Sequence, residues 1–216
     1  MLTSTQLSTT LTMQAAMNAK VNENWLTMGF AFCRAIVVEG TEAIEHHGWK
    51  WWKAQDKELA QLQMELVDIW HFMLSEYLVQ FNGDIHKTQT HIEHQSSEKV
   101  ITLDGKEFEL SKLNCVESLE LLIGLAAVRR LNVALFDSLL SLCEMDWDEL
   151  FKQYVGKNVL NFFRQDHGYK EGTYEKFWNG KEDNEVLSAI LNEVDLTKES
   201  IQQDIYRQLK AAYPIK

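Results

Sequence analysis

One proline, Pro214, stands in a chain of 216 residues, and it falls near the end. Everything before it lacks the residue that removes a backbone donor and clashes with the preceding helical turn. With only 10 glycines besides, long stretches contain no helix breaker, and helices joined by short loops are expected. A hydrophobic fraction of 45%, 11% of the chain being aromatic, is enough for one packed core at this length. A single domain over 1–216 is the expectation.

Apolar spacing places the elements. Leu7, Leu11, the Met13/Gln14 turn and Met17 recur at helical intervals, and a second helix is expected over about 25–46, stopped by Gly48. The connector "HHGWKWWKAQD" crowds three tryptophans together. A third helix over about 57–81 carries Leu59, Leu62, Leu66, Ile69, Trp70, Met73 and Tyr77 on one stripe. Residues 82–99 are polar and read as a loop, the first part of an insertion spanning about 82–112. Within that insertion "VITLDGKEFEL" alternates apolar and polar residues around Asp104-Gly105, the pattern of a small β-hairpin near 100–110. Helical character returns over about 115–142 and again after Asp146, where Asp146 and Glu149 stand at capping-box spacing, with an end near Gly168. The last helix is expected to begin beyond Thr197 and stop before Pro214. The fold class is therefore all-α, a helical bundle carrying at most one small hairpin.

Charge and cysteine usage narrow the partners. With 32 acidic against 21 basic residues, a formal net charge of -11 repels a nucleic-acid backbone, so no nucleic-acid polymer is expected as partner. A small anion remains compatible, because a divalent metal reverses the sign of the potential inside one pocket. Cys33, Cys115 and Cys143 are odd in number and have no CxxC spacing, which suits reduced core thiols. No basic residue precedes Lys20, unlike a signal peptide, and no run reaches the roughly 18 apolar residues of a spanning helix. A cytoplasmic protein without membrane contact is expected.

Two constellations carry chemistry. Glu39 and Glu42 are three residues apart, as are Glu65 and Asp68, so each pair projects from one helix face. If the two helices pack side by side, four carboxylates converge, and such a cluster stays ionised only with cations present. Hard oxygen ligands favour Mg²⁺ or Mn²⁺ over zinc. The plain alternative is a solvated helix face, but Asp68 lies within "LVDIWHF" and Glu39 follows "FCRAIVV", where full solvation is disfavoured. A di-iron site of the ExxH type has one imperfect match, Asp68 with His71, and no second. His86, His91 and His94 in the insertion have no scaffold that would make them a zinc site.

The second constellation lies within 156–184. Lys157, Asn161 and Arg164 follow i, i+4, i+7 spacing and form one basic stripe, with Tyr169, Lys170, Tyr174 and Lys176 in the loop beyond. In so acidic a chain this concentration of donors suits a phosphate chain. Ordinary surface lysines account for the stripe equally well on spacing alone, and Phe162, Phe163, Phe177 and Trp178 read as core.

The segments "VVEGTEAIEHHGWKWWK", "MELVDIWHF" and "GKNVLNFFRQDHGYKEGTYEKFWNGKEDNEVL" strongly resemble the dimeric, all-α dUTPases, relatives of the MazG-like nucleoside triphosphate pyrophosphatases. The resemblance also covers the N-terminal helix and is weak over 82–118. It implies Mg²⁺ ligands at Glu39, Glu42, Glu65 and Asp68, and phosphate-binding residues at Lys157, Arg164, Tyr169 and Lys176, with Asn161 nearby. It further implies a base and sugar pocket drawn from Gln14, Asn18 or Asn22, Trp49, Trp52, His71 with Phe72, and Asn184. The implied reaction is hydrolysis of dUTP to dUMP and pyrophosphate, with dUDP also accepted. Either Glu39 or Glu42 would orient or deprotonate the attacking water, while His71 and Phe72 would wall off a thymine methyl or a ribose hydroxyl. The implied assembly is a homodimer, for which the apolar segment "ELLIGLAAVRRLNVALFDSLLSL" is the expected contact. Two alternatives stay open: a pyrophosphatase of the same fold for another nucleotide such as dCTP, and a non-catalytic nucleotide-binding helical dimer.

Overall fold

The structure, a computed structural model, describes residues 1–194 and 200–214. Among the described residues, nine α-helices, one short 3-10 helix (Leu110–Lys112) and two small hairpins make up the regular elements. α1 (Ser4–Val21) opens on a complete capping box: the Thr3 side chain accepts the Gln6 backbone N–H, and the Gln6 side chain accepts the Thr3 N–H. α2 (Phe32–His47) begins later than its apolar pattern predicts. The cause is local: the Asn22 side chain accepts the Asn24 N–H, and Gly29 adopts φ +65°, so residues 23–29 form turns. Gly48, at φ +80°, ends α2 as expected.

α3 (Leu59–Gln80) is the central helix, with Leu62, Leu66, Ile69, Trp70, Met73, Leu74, Tyr77 and Leu78 buried along it. The polar stretch expected to be a loop contains a helix, α4 (Ile85–Gln95). Asp84 caps it by accepting the Lys87 N–H; Thr88 and Ile92 are buried and Ile85 packs partly against the core, a stripe too narrow to stand out among polar neighbours. β1 (Val100–Leu103) and β2 (Lys106–Glu109) pair antiparallel around Asp104-Gly105, as the alternation predicts.

The apolar run 115–142 is two helices, α5 (Cys115–Ala127) and α6 (Val133–Leu142), separated by a turn in which Arg129 takes φ +61°. Its large side chains, Leu121, Leu122, Leu125, Leu135, Phe136 and Leu139 among them, are buried within this chain. Most of the apolar surface of this segment thereby lies in the core, with Val128 left 53% exposed. α7 (Trp147–Asp166) starts at Asp146, whose side chain accepts the Glu149 N–H, and ends just before Gly168 at φ +86°. A short hairpin, β3 (Phe177–Trp178) with β4 (Lys181–Glu182), leads into α8 (Asp183–Glu193). α9 (Ile201–Ala212) stops before Pro214; Thr197, the expected limit of its start, lies outside the described residues.

Two glycines set helix spacing. A Cβ at Gly40 would lie 2.8 Å from the Ile123 side chain, and one at Gly156 would lie 2.6 Å from the Leu191 side chain, so Ile123 of α5 and Leu191 of α8 pack directly on the backbones of α2 and α7. The core between them is aromatic: Trp70 stacks on Phe136 with centroids 5.2 Å apart, and Trp147 meets Trp70 edge-on. Phe163 and Trp178 are buried as expected, whereas Phe162 is half-buried and Phe177 is 62% exposed. The three cysteines are free and buried. No helix among the described residues is long and apolar enough to cross a membrane.

Candidate active site

α2 buries Cys33, Ile36, Gly40 and Ala43 against its neighbours, and the residues beside that stripe come out at the edge of its contact with α3. There Glu39, Glu42 and Glu65 each offer a carboxylate oxygen, all within 4.8 Å of one another. Burial, then repulsion from Asp68, Glu65 and Glu42, pushes the Glu39 carboxyl up to about 8. Burial again, followed by Asp68 and Glu42 and opposed by Lys157, pushes Glu65 up to about 7, with a carboxyl–carboxylate hydrogen bond linking Glu39 to Glu65. Glu39 and Glu65 therefore retain protons near neutrality, and a hard divalent cation is the partner the trio's donor set fits.

Asp68 stands outside this trio. Its Oδ2 accepts from Lys157 Nζ at 3.0 Å, and the same ammonium donates to Asn184 Oδ1 at 3.2 Å. Lys157 is buried despite its place on a stripe that reads as exposed; the ion pair with Asp68 is what allows it. Beside Lys157, Ala60, Gln63, Met64, Val67 and Asn184 line a cavity of about 230 Å³ between α3, α7 and α8.

Arg164 is held at both edges of its guanidinium. Nε and Nη2 donate to the two oxygens of Asp183 at 2.8 Å each, Nη1 donates to Asn161 at 3.1 Å, and the charge lies 5.8 Å from the centre of the Tyr169 ring. Asp183 is fully buried and also accepts from the Tyr174 hydroxyl at 2.8 Å. Burial works against its charge, but the Arg164 hydrogen bonds and the Arg164 charge hold its carboxyl below the usual range. Asp183 was missed in the sequence: its partner lies 19 residues earlier, and only the neighbouring Asn184 signals it. Lys176 pairs with Glu182 at 3.5 Å on the surface.

One face of α3 continues from Glu65 and Asp68 to His71 and Ser75. Gln14 of α1 meets it: Nε2 donates to Ser75 Oγ at 2.9 Å and Asn18 Oδ1 at 3.1 Å, while Oε1 accepts from His71 Nδ1 at 2.7 Å and from the Tyr154 hydroxyl at 3.0 Å. Burial pushes the His71 imidazole down to about 3, so it is neutral. With its proton on Nδ1, His71 leaves Nε2 as a buried acceptor without a partner. Asn18 belongs to this network, donating to Ser75 at 3.0 Å, whereas Asn22 closes α1 and serves its own turn. Phe72 is half-buried against the core. Trp49 and Trp52 meet edge-on at 5.1 Å and stand 41% and 56% exposed, Trp49 donating to Glu45.

His46 is a second residue missed in the sequence. Its Nδ1 lies 2.6 Å from Glu58 Oε2 and its Nε2 lies 3.6 Å from Glu65 Oε1. The histidines of the insertion form no metal-ligand group among the described residues; His91 instead packs against Tyr77 and Phe81.

A family model described as dUTPase matches residues 6–169 of the chain. Comparison with curated proteins finds no match. The matched segment includes the carboxylate trio, Asp68, Lys157 and Arg164, and stops before Asp183 and Asn184.

Proposed function

Since the chain belongs to the dUTPase family and hydrolyses dUTP, we propose that it does so with Mg²⁺, releasing pyrophosphate and dUMP, and that it accepts dUDP as well. Mn²⁺ is the expected substitute. The observation that carries this is the order of groups along α3: Glu65, Asp68, His71 and Ser75 span ten residues of helix, about 15 Å at 1.5 Å per residue. Carboxylates stand at one end of that line and amides at the other, which suits an extended nucleoside triphosphate.

Glu39, Glu42, Glu65 and Asp68 would hold the divalent ions. When bound, the ions offset phosphate charge and make a nearby water more acidic. Either Glu39 or Glu42 orients that water and takes its proton. Asp68 and Lys157 neutralise each other in the structure; in the loaded site Asp68 would help hold the cation and Lys157 would bind phosphate oxygens. Arg164, fixed by Asp183 and with its second Nη2 N–H on Asn184 at 3.3 Å, offers its one remaining Nη1 N–H and its charge to the phosphate chain, with Asn161, Tyr169 and Lys176 around it.

Base choice rests on atoms at the other end. Gln14 has both N–H groups and its carbonyl engaged within the protein, so it braces Asn18 and His71 rather than reading the base itself. The lone pair on His71 Nε2 accepts from uracil N3–H, while cytosine presents an acceptor there and is refused. Asn18, with one N–H still unassigned, serves a uracil carbonyl; Phe72, Trp49, Trp52 and Asn184 complete the base and sugar walls. The assembly belongs to the same proposal: a cytoplasmic homodimer of single-domain chains.

Pyrophosphate release measured across dUTP, dCTP, dTTP and dUDP, with and without Mg²⁺, tests this. Turnover of dUTP that survives complete chelation, or a preference for dCTP, overturns it.

A further inference from the structure

His46 occupies the last turn of α2 and is tied to the start of α3 twice. Its carbonyl accepts the Glu58 backbone N–H at 2.8 Å, and its Nδ1 meets the Glu58 carboxylate at 2.6 Å. A carboxylate on Nδ1 fixes the ring and its tautomer, leaving a lone pair on Nε2. That lone pair lies 3.6 Å from Glu65 Oε1, an acceptor once its carboxyl is ionised, as a metal ligand's must be. Two acceptors facing each other at this distance have no hydrogen bond to make. They do match two ligands of a single ion, because bonds of about 2.0–2.2 Å put neighbouring ligand atoms roughly 3–4 Å apart.

We propose that His46 is a nitrogen ligand at the metal site, oriented by Glu58 and sharing an ion with Glu65. This rests on the carboxylate site assigned above. Imidazole adds little for Mg²⁺, which takes oxygen donors, and more for Mn²⁺ and Co²⁺. The site therefore favours divalent transition metals over Mg²⁺ more than carboxylates alone would.

Calorimetric titration of the full chain with Mn²⁺ alone and with Mg²⁺ alone tests the proposal, in wild type, His46→Gln, Glu58→Gln and Glu65→Gln. His46→Gln is expected to weaken Mn²⁺ binding at least fivefold while Mg²⁺ binding changes less than threefold. Glu58→Gln shifts Mn²⁺ binding in the same direction by a smaller factor. The Co²⁺-loaded wild type is expected to show an exchangeable, strongly shifted imidazole N–H proton resonance, the Nδ1–H held by Glu58, which is missing from His46→Gln. A Mn²⁺ effect under fivefold in His46→Gln, or persistence of that resonance, overturns the proposal. Should His46→Gln fail to fold, the resonance in wild type and its faster solvent exchange in Glu58→Gln decide the question, and a spectrum without it refutes the ligand. The underlying assignment fails differently: wild type then binds neither ion, or Glu65→Gln binds both unchanged.

Discussion

Glu65→Gln should make the metal-free protein more stable while disabling it. The carboxyl rises from an ordinary 4.5 to about 7 in the folded chain. The folded state thus holds this proton more tightly than the unfolded state, so stability falls as pH rises from about 4.5 through about 7. At about 1.4 kcal/mol per pH unit the full penalty above that window is about 3 kcal/mol, which solvent and counter-ions at the open side of the trio reduce to about 1–2 kcal/mol. Glutamine has the same shape and no charge at any pH, so it escapes the penalty. In urea unfolding followed by tryptophan fluorescence in chelator, the variant should exceed wild type by about 1–2 kcal/mol at pH 8 and by under about 1 kcal/mol at pH 5. Excess Mg²⁺ should reverse the order at pH 8, because only wild type gains the full binding free energy. A variant less stable than wild type in chelator at pH 8 would refute the reasoning and make Glu65 a structural anchor.

Further outcomes follow from the same geometry. Asp183→Ala leaves the Arg164 guanidinium half-buried without its counter-charge and should cost about 3 kcal/mol in unfolding free energy; the milder Asp183→Asn should keep the fold and lower kcat for dUTP at least tenfold in steady-state assays. His71→Leu removes the unpaired acceptor and should cut kcat/KM for dUTP about a hundredfold while changing dCTP turnover little, so that the ratio of the two narrows. Gly156→Ala forces Leu191 aside and should cost about 1–3 kcal/mol by thermal unfolding, with KM for dUTP within twofold of wild type.

The sequence exposed what repeats locally and concealed what depends on distant pairing. Helical periodicity placed α1, α3 and α7, and alternation around Asp104-Gly105 placed the β1–β2 hairpin, because each pattern lies within a few turns of chain. α4 was hidden since its inward face is only Ile85, Thr88 and Ile92, set among polar residues. The turn between α5 and α6 was hidden because Arg129 adopts a left-handed conformation that composition does not announce. In the candidate site, ExxE and ExxD spacing drew attention to the helix faces where Glu39, Glu42 and Glu65 meet, yet it could not show that Asp68 turns to Lys157. Lys157 and Arg164 were visible as charges, while Asp183 and His46 owe their places to contacts across 19 and 12 to 19 residues, beyond the reach of any local pattern.

The bidentate grip of Asp183 on Arg164 also orders events in time. During synthesis the acidic helices emerge from the ribosome long before α8, and until residue 183 has been added the arginine has no clamp. A nascent chain can assemble its acidic half early; on the proposed assignment, the phosphate-binding half is complete only when the β3–β4 hairpin and α8 fold back, which would make competence a late step of biogenesis.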